Sequence, residues 1–238
     1  MESLAGKFGV VTGGTRGIGR AIAERLLQEG AAVAFCGRSA ETVERARQEL
    51  AGLGPVLGAV ADVTQTVDVR NFFQAVDHAF GALDILVNNA GAARFRKTGE
   101  MTAEDWHYHI DLNLNAAFYC SREAVPRMIQ RGGGSIIHIS SLAAKNAFAG
   151  GAAYHAAKAG LNAFAEALML DHRHDNIRVT TIMPGSVDTE FSGGERRTGD
   201  TSWMIAPEDI AEIAALVLRM PARTMISSVE VRPSRPRK

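Results

Sequence analysis

Seven short apolar runs rich in β-branched residues punctuate the sequence: Phe8 to Thr12, Ala32 to Cys36, Val56 to Val60, Leu83 to Val87, Ser135 to Ser140, Ile177 to Met183 and Ile226 to Val231. Near-continuous hydrophobicity in runs this short marks strands covered on both faces. Longer segments with helical spacing lie between them. Ile18, Ile22, Leu26 and Leu27 recur every three to four residues, as do Val69, Phe72, Phe73, Val76 and Phe80, so each segment carries one apolar stripe.

The alternation predicts an α/β fold, a doubly wound Rossmann-type parallel sheet of about seven strands with helices on both faces, because parallel strands need long right-handed return connections. The ligand crevice of such a sheet lies beyond the carboxyl ends of its strands. No linker divides the 238 residues, so a single domain over 1–238 is expected. The basic tail at 232–238 is expected to be frayed and solvated. With 26 Lys+Arg against 26 Asp+Glu, the chain lacks the positive field that nucleic acid or an anionic membrane requires. The opening residues carry neither a basic n-region nor an apolar h-region, and no apolar stretch is long enough to span a bilayer, so a cytoplasmic location is expected. Cys36 and Cys120 sit in apolar surroundings with no ligand spacing and read as buried free thiols. His107, His109, His172 and His174 read as solvated or packing residues, and no metal site is expected.

Five strand ends carry candidate chemistry. The first strand runs into Thr12-Gly13-Gly14-Thr15-Arg16-Gly17-Ile18-Gly19 and then a helix, an arrangement that brings backbone N–H groups and positive helix dipole close to a phosphate. The second ends Cys36-Gly37-Arg38-Ser39, with no acid to bind a ribose hydroxyl; Arg38, joined by Arg16, suits a 2′-phosphate. After the third comes Asp62-Val63, where the carboxylate is placed to accept from an adenine amino group. After the fourth, Asn88 and Asn89 are placed to tie strand ends together. Beyond the fifth, Ser141 precedes Tyr154 and Lys158, which are four apart and share one helix face. An ammonium there would favour the phenolate of Tyr154, and Ser141 would donate to a substrate oxygen. A Tyr-x-x-x-Lys pair alone is common on helix surfaces.

The order and spacing of these segments, with Asn88-Asn89-Ala90-Gly91, Asn113 in Asp111-Leu112-Asn113-Leu114 and Pro184-Gly185-Ser186-Val187-Asp188-Thr189, resemble the short-chain dehydrogenases/reductases over nearly the whole chain. The resemblance implies an NADP(H)-dependent enzyme moving a hydride between nicotinamide and a small-molecule carbonyl or secondary alcohol. It implies Tyr154 as general acid/base, Lys158 as its electrostatic partner and ribose ligand, Ser141 as the carbonyl polariser and Asn113 as the holder of a relay water. Gly13, Thr15, Arg16, Ile18, Arg38, Asp62, Val63, Asn88, Val187 and Thr189 would join Tyr154 and Lys158 in holding the cofactor. The resemblance further implies a homodimer or homotetramer built through the helices at 115–129 and 153–170.

Two departures count against an acyl-carrier substrate. The chain ends Val229-Glu230-Val231-Arg232-Pro233 rather than Val-Asp-Gly-Gly, and the Glu190 to Trp203 stretch is short for a lid. Ala93, Arg94, Phe95, Leu142 to Phe148 and Phe191 are expected to wall the substrate pocket. A non-catalytic NADP(H)-binding regulator and a sugar-nucleotide epimerase or dehydratase are the alternatives. The intact Asn113, Ser141, Tyr154 and Lys158 set weighs against the first, and the chain's length against the second.

Overall fold

In a computed structural model that describes residues 1–191 and 199–236, the chain alternates strand and helix throughout. The strands are β1 (Phe8–Thr12), β2 (Ala32–Gly37), β3 (Val56–Val60), β4 (Ile85–Asn88), β5 (Gly134–Ile139), β6 (Ile177–Pro184) and β7 (Ser228–Val231). The helices are α1 (Gly17–Gln28), α2 (Ala40–Leu50), α3 (Thr66–Phe80), α4 (Ala103–Ile110), α5 (Ala116–Arg131), α6 (Ala152–His172) and α7 (Pro207–Leu218). All neighbouring strands pair in parallel, in the order β3-β2-β1-β4-β5-β6-β7. The chain therefore winds outward in both directions from β1, and the switch between β1 and β4 opens a crevice at their carboxyl ends.

Strand alternation divides the core into two layers. Val11, Val33, Phe35, Ile85, Val87 and Ile137 pack beneath α1, α2 and α7 with Ile22, Leu26 and Ile210. Their strand neighbours Val10, Ala34, Cys36, Leu86 and Ile136 point the other way, onto Phe72, Phe73, Cys120, Met128 and Leu168 of α3, α5 and α6. Successive residues on a strand face opposite sides, and the apolar runs are continuous because both sides are covered.

Both cysteines are free and lie in the second layer. Burial pushes the Cys36 thiol up to about 12, and burial with Cys36 close by pushes Cys120 well above the usual thiol range. Among the described residues, no helix is long and apolar enough to cross a membrane and no group of three His, Cys, Asp or Glu side chains could hold a metal ion.

Between α4 and α5 the helix widens into one π-turn, Asp111–Asn115, in which the Ala116 N–H reaches back to the Asp111 carbonyl. Such turns release a carbonyl from the regular ladder. Here the Asn113 side chain takes up that of His109.

Candidate active site

A cleft of about 1120 Å³ runs along the carboxyl ends of the strands, from Arg38 and Arg45 at one end to Tyr154, Phe148 and Phe191 at the other. Gly13, Thr15, Arg16, Ile18, Arg38, Asp62, Val63, Ser141, Tyr154, Lys158, Val187 and Thr189 all line it. The residues singled out in sequence thus converge on one surface because each follows a strand of the same parallel sheet.

The β1–α1 turn is built for close approach. Gly17 has φ +55°, a left-handed backbone that favours glycine, and a Cβ on Gly19 would overlap Asn89 Nδ2 and the Gly13 carbonyl oxygen. Thr12 Oγ1 accepts the N–H groups of Asn89 and Ala90, each at 3.0 Å, while Asn89 Nδ2 donates to the carbonyls of Thr12 (2.9 Å) and Gly13 (3.2 Å). At the start of α1 no side chain caps the N–H groups and the first turn holds no acid, unlike α2 and α4, which Ser39 and Thr102 cap. Uncapped N–H groups and the helix dipole at the floor of a cleft fit a phosphate group.

Beyond α1 the cleft meets Arg38, Ser39, Thr42 and Arg45. Arg45 was not apparent from strand ends, since it lies six residues past Ser39 on α2; the helical spacing Ser39, Thr42, Arg45 is the signal that brings it there. Among the described residues neither Arg38 nor Arg45 has an ion-pair partner, whereas the Arg16 guanidinium meets Glu190 at 2.8 Å across the cleft. Asp62 Oδ1 caps its own turn, accepting from Thr64 N–H and Oγ1 at 2.9 and 2.8 Å.

Asn88 departs from its expected place at the cofactor. It points into the α5 side of the sheet, where Nδ2 donates to Ser121 Oγ at 3.1 Å and lies 3.3 Å from His138 Nδ1, and it does not line the cleft. Strand alternation turns Asn88 inward and leaves Asn89 facing the crevice. Asn88 Oδ1 and His138 Nε2 have no partner among the described residues, and burial, with Lys158 nearby, pushes the His138 imidazole down to about 3.

Tyr154 and Lys158 open α6 and are almost fully enclosed. Lys158 Nζ donates to the Ile139 carbonyl at 2.9 Å and has no carboxylate partner among the described residues; burial lowers its pKa to about 7. Burial pushes Tyr154 up to about 12, with a hydrogen bond to Ser141 pulling the other way. The expected stabilisation of its phenolate by Lys158 is therefore outweighed here by desolvation: Nζ sits 5.8 Å from the centre of the ring. Ser141 Oγ accepts the Ala143 N–H at 3.1 Å. Behind them the buried Asn113 donates to the Ala92 and His109 carbonyls at 2.9 and 3.1 Å. Its Oδ1 is unpartnered among the described residues and is directed at Gly91, where a Cβ would stand 2.8 Å from it and 3.5 Å from Lys158 Nζ.

Of the expected substrate walls, Phe95, Leu142, Ala143, Asn146, Phe148 and Phe191 line the cleft. Ala93, Arg94, Ala144, Lys145 and Ala147 do not; the Arg94 guanidinium lies 4.1 Å over the Tyr108 ring and 3.7 Å from Asp105. Trp203, Met204, Arg232, Pro233 and Pro236 join the lining without having been anticipated. The tail segment expected to be solvated thus borders the cleft as far as Pro236, while 237–238 and half of the Glu190 to Trp203 stretch, 192–198, lie outside the described residues.

Comparison with known proteins agrees with this geometry. The family model described as short chain dehydrogenase matches residues 7–199. An uncharacterized oxidoreductase of Staphylococcus saprophyticus is 33% identical over 241 residues, covering 98% of this chain and 100% of its own. An alcohol dehydrogenase from the archaeon Thermococcus sibiricus, solved with 5-hydroxy-NADP, superposes with a TM-score of 0.90 at 28% identity, over 98% of this chain and 99% of its own. A metagenomic short-chain oxidoreductase solved with NADP gives 0.86 at 35% identity, over 99% and 100%. With the sheet order, the glycine turn and the Ser141, Tyr154 and Lys158 cluster in place, the chain belongs to the short-chain dehydrogenase family of oxidoreductases.

Proposed function

We propose that the protein is an NADP(H)-dependent reductase of carbonyl compounds, running in reverse as an alcohol dehydrogenase. The observation that carries this reading is the convergence of Ser141, Tyr154 and Lys158 at one end of a cleft whose other end holds Arg38 and Arg45. The uncapped α1 terminus and the glycine turn suit the pyrophosphate, and the guanidiniums of Arg38 and Arg45, without ion-pair partners among the described residues, suit a 2′-phosphate. The ligands of the two solved relatives, 5-hydroxy-NADP and NADP, point the same way.

When bound, the nicotinamide supplies the hydride. The protein's part is orientation and a proton. Tyr154, held neutral at physiological pH by burial, donates its phenolic proton to the oxygen on which negative charge develops. Ser141 Oγ accepts the Ala143 N–H, and its O–H, hydrogen-bonded to Tyr154 in the structure, can turn to donate to the same oxygen. Lys158, poised near neutrality, is placed to bind the ribose and to return the proton to Tyr154. Asn113 Oδ1, directed at the same spot as Nζ, is the group that would anchor a proton path inward from it.

A spectrophotometric assay of NADPH consumption against a panel of aldehydes and ketones tests the reading. Tyr154→Phe should keep the fold and cofactor binding and lose on the order of 10²- to 10⁴-fold in turnover. Wild-type turnover in that variant would overturn the assignment. The exposed Phe118, Ile129 and Leu170 on α5 and α6 support self-association through these helices, a cytoplasmic homodimer or homotetramer that sedimentation velocity would detect.

A further inference from the structure

His155 follows Tyr154 but turns toward the segment that joins β5 to α6. Its Nε2 accepts the Phe148 N–H at 2.9 Å, and its Nδ1 bonds the Ala143 carbonyl. An amide N–H only donates and a carbonyl only accepts, so the two partners fix one neutral tautomer, protonated at Nδ1. A single imidazole therefore holds both ends of residues 143–148.

The backbone makes room for this ring. A Cβ on Gly151 would stand 2.6 Å from His155 Nε2 and 2.7 Å from the Phe148 ring, so only glycine admits the pair. The Phe148 ring packs against the imidazole at 4.5 Å between centres and meets Phe95 edge-on at 5.2 Å; Phe95 in turn meets Tyr154 at 6.1 Å. Phe191 closes the other side of Tyr154 at 5.8 Å. The described cations closest in sequence to Phe95 and Phe148 are occupied elsewhere, Arg94 and Arg96 with Asp105 at 3.7 and 3.0 Å and Lys145 with Glu230 at 2.7 Å. Among the described residues, the wall that Phe95, Phe148 and Phe191 present to the reacting phenol is aromatic and uncharged.

We propose that His155 is a positioning residue: by stapling residues 143–148 it sets the Phe148–Phe95 wall, which fits the site to an uncharged carbonyl substrate with a flat aromatic group beside the carbonyl. The substrate class rests on the reductase reading above. Lys158 is held by the Ile139 carbonyl and Tyr154 by Ser141, both outside the staple, and only the Ala143 N–H ties Ser141 to the stapled segment, so the effect falls mainly on substrate binding.

Two measurements test it, one independent of turnover. In the protein alone, nitrogen NMR of the His155 ring should show the Nδ1–H tautomer, and the Phe148 amide should exchange with deuterium at least about tenfold faster in His155→Leu than in wild type. His155→Gln, whose amide retains a donor and an acceptor, should restore protection. With NADPH, His155→Leu should raise KM for a phenyl alkyl ketone about tenfold or more while KM for acetone and kcat change less than about threefold, and Gln should recover most of the loss. An Nε2–H tautomer in wild type, unchanged Phe148 exchange in the Leu variant, a Gln variant as impaired as Leu, or a loss confined to kcat would each overturn the proposal. Should the Leu variant fail to fold, the wild-type tautomer and the Gln variant decide it. A wild-type protein that consumes no NADPH with any carbonyl defeats the reductase reading instead, and leaves the tautomer and exchange results to judge the staple.

Discussion

At the scale of single residues, the chemistry was legible wherever a side chain type is itself the signal. Tyr154, Lys158 and Ser141 lie where strand-end reasoning puts them. Their electrostatics were not legible, because desolvation depends on what covers a group and no spacing rule carries that. Asn88 shows a second limit: two adjacent asparagines are chemically equal in sequence, and only the strand's alternation decides which faces the crevice. The buried cluster that Asn88 joins has a cost in acid. His138 titrates near 6.5 when unfolded but only near 3 when folded, so the folded state binds fewer protons between those values. The neutral ring's stability is complete above pH 6.5 and is lost as pH falls toward 3, by up to about 1.4 kcal/mol per pH unit. Urea denaturation at pH 7 and pH 5 should therefore show a drop in the wild-type midpoint that is distinctly smaller in His138→Asn. Equal drops would mean that other groups dominate the acid limb.

At the scale of elements, apolar runs located all seven strands, with ends shifted by no more than two residues. The strand pattern is legible because both faces are buried and little else produces such runs. The π-turn at Asp111–Asn115 was invisible, since its sequence continues the helical pattern and the wider register is set by where α5 must pack and by the Asn113 side chain. The staple of residues 143–148 was equally hidden, as it joins residues whose contact depends on the path of an irregular segment. For the β1–α1 turn, close packing gives a direct test. Gly19→Ala places a methyl group against the Gly13 carbonyl and Asn89, which should cost about 1–3 kcal/mol and weaken NADPH binding at least about tenfold. Gly52→Ala, which meets nothing within 4 Å, should leave both thermal melting and NADPH titration close to wild type. Equal behaviour of the two variants would refute the cradle.

At the scale of the whole molecule, the cleft is assembled from both halves of the sheet, and Arg16 and Glu190 join the two sides across it. Both side chains are largely exposed, at 58% and 41%, and such pairs contribute only about 0–1 kcal/mol. Exchanging Glu190 for a phosphate therefore costs Arg16 little. Arg38 and Arg45, free of ion-pair partners among the described residues, are the firmer basis for cofactor choice. A charge-assisted hydrogen bond is worth about 1.5–3 kcal/mol, or roughly 10- to 150-fold in affinity. Arg38→Asp should raise the Kd for NADPH at least about tenfold in fluorescence titration and leave NADH binding unchanged or improved. Tighter binding of NADH than NADPH by the wild-type protein would reverse the assignment.

The placement of the two thiols has a consequence for watching this molecule move. Cys36 and Cys120 both belong to the layer under α3, α5 and α6, and the layer under α1, α2 and α7 has none. Burial keeps both protonated, and a thiol in that form is a poor nucleophile. Alkylation in native buffer is then a chemical stopwatch that advances only when this one layer opens. Because the chain has just these 2 cysteines, no engineering is needed to read it. Cys36 also borders the cleft beneath the glycine turn, so a bound dinucleotide would slow its clock most directly, and the ratio of the two labelling rates would separate a local opening at the site from unfolding of the whole layer.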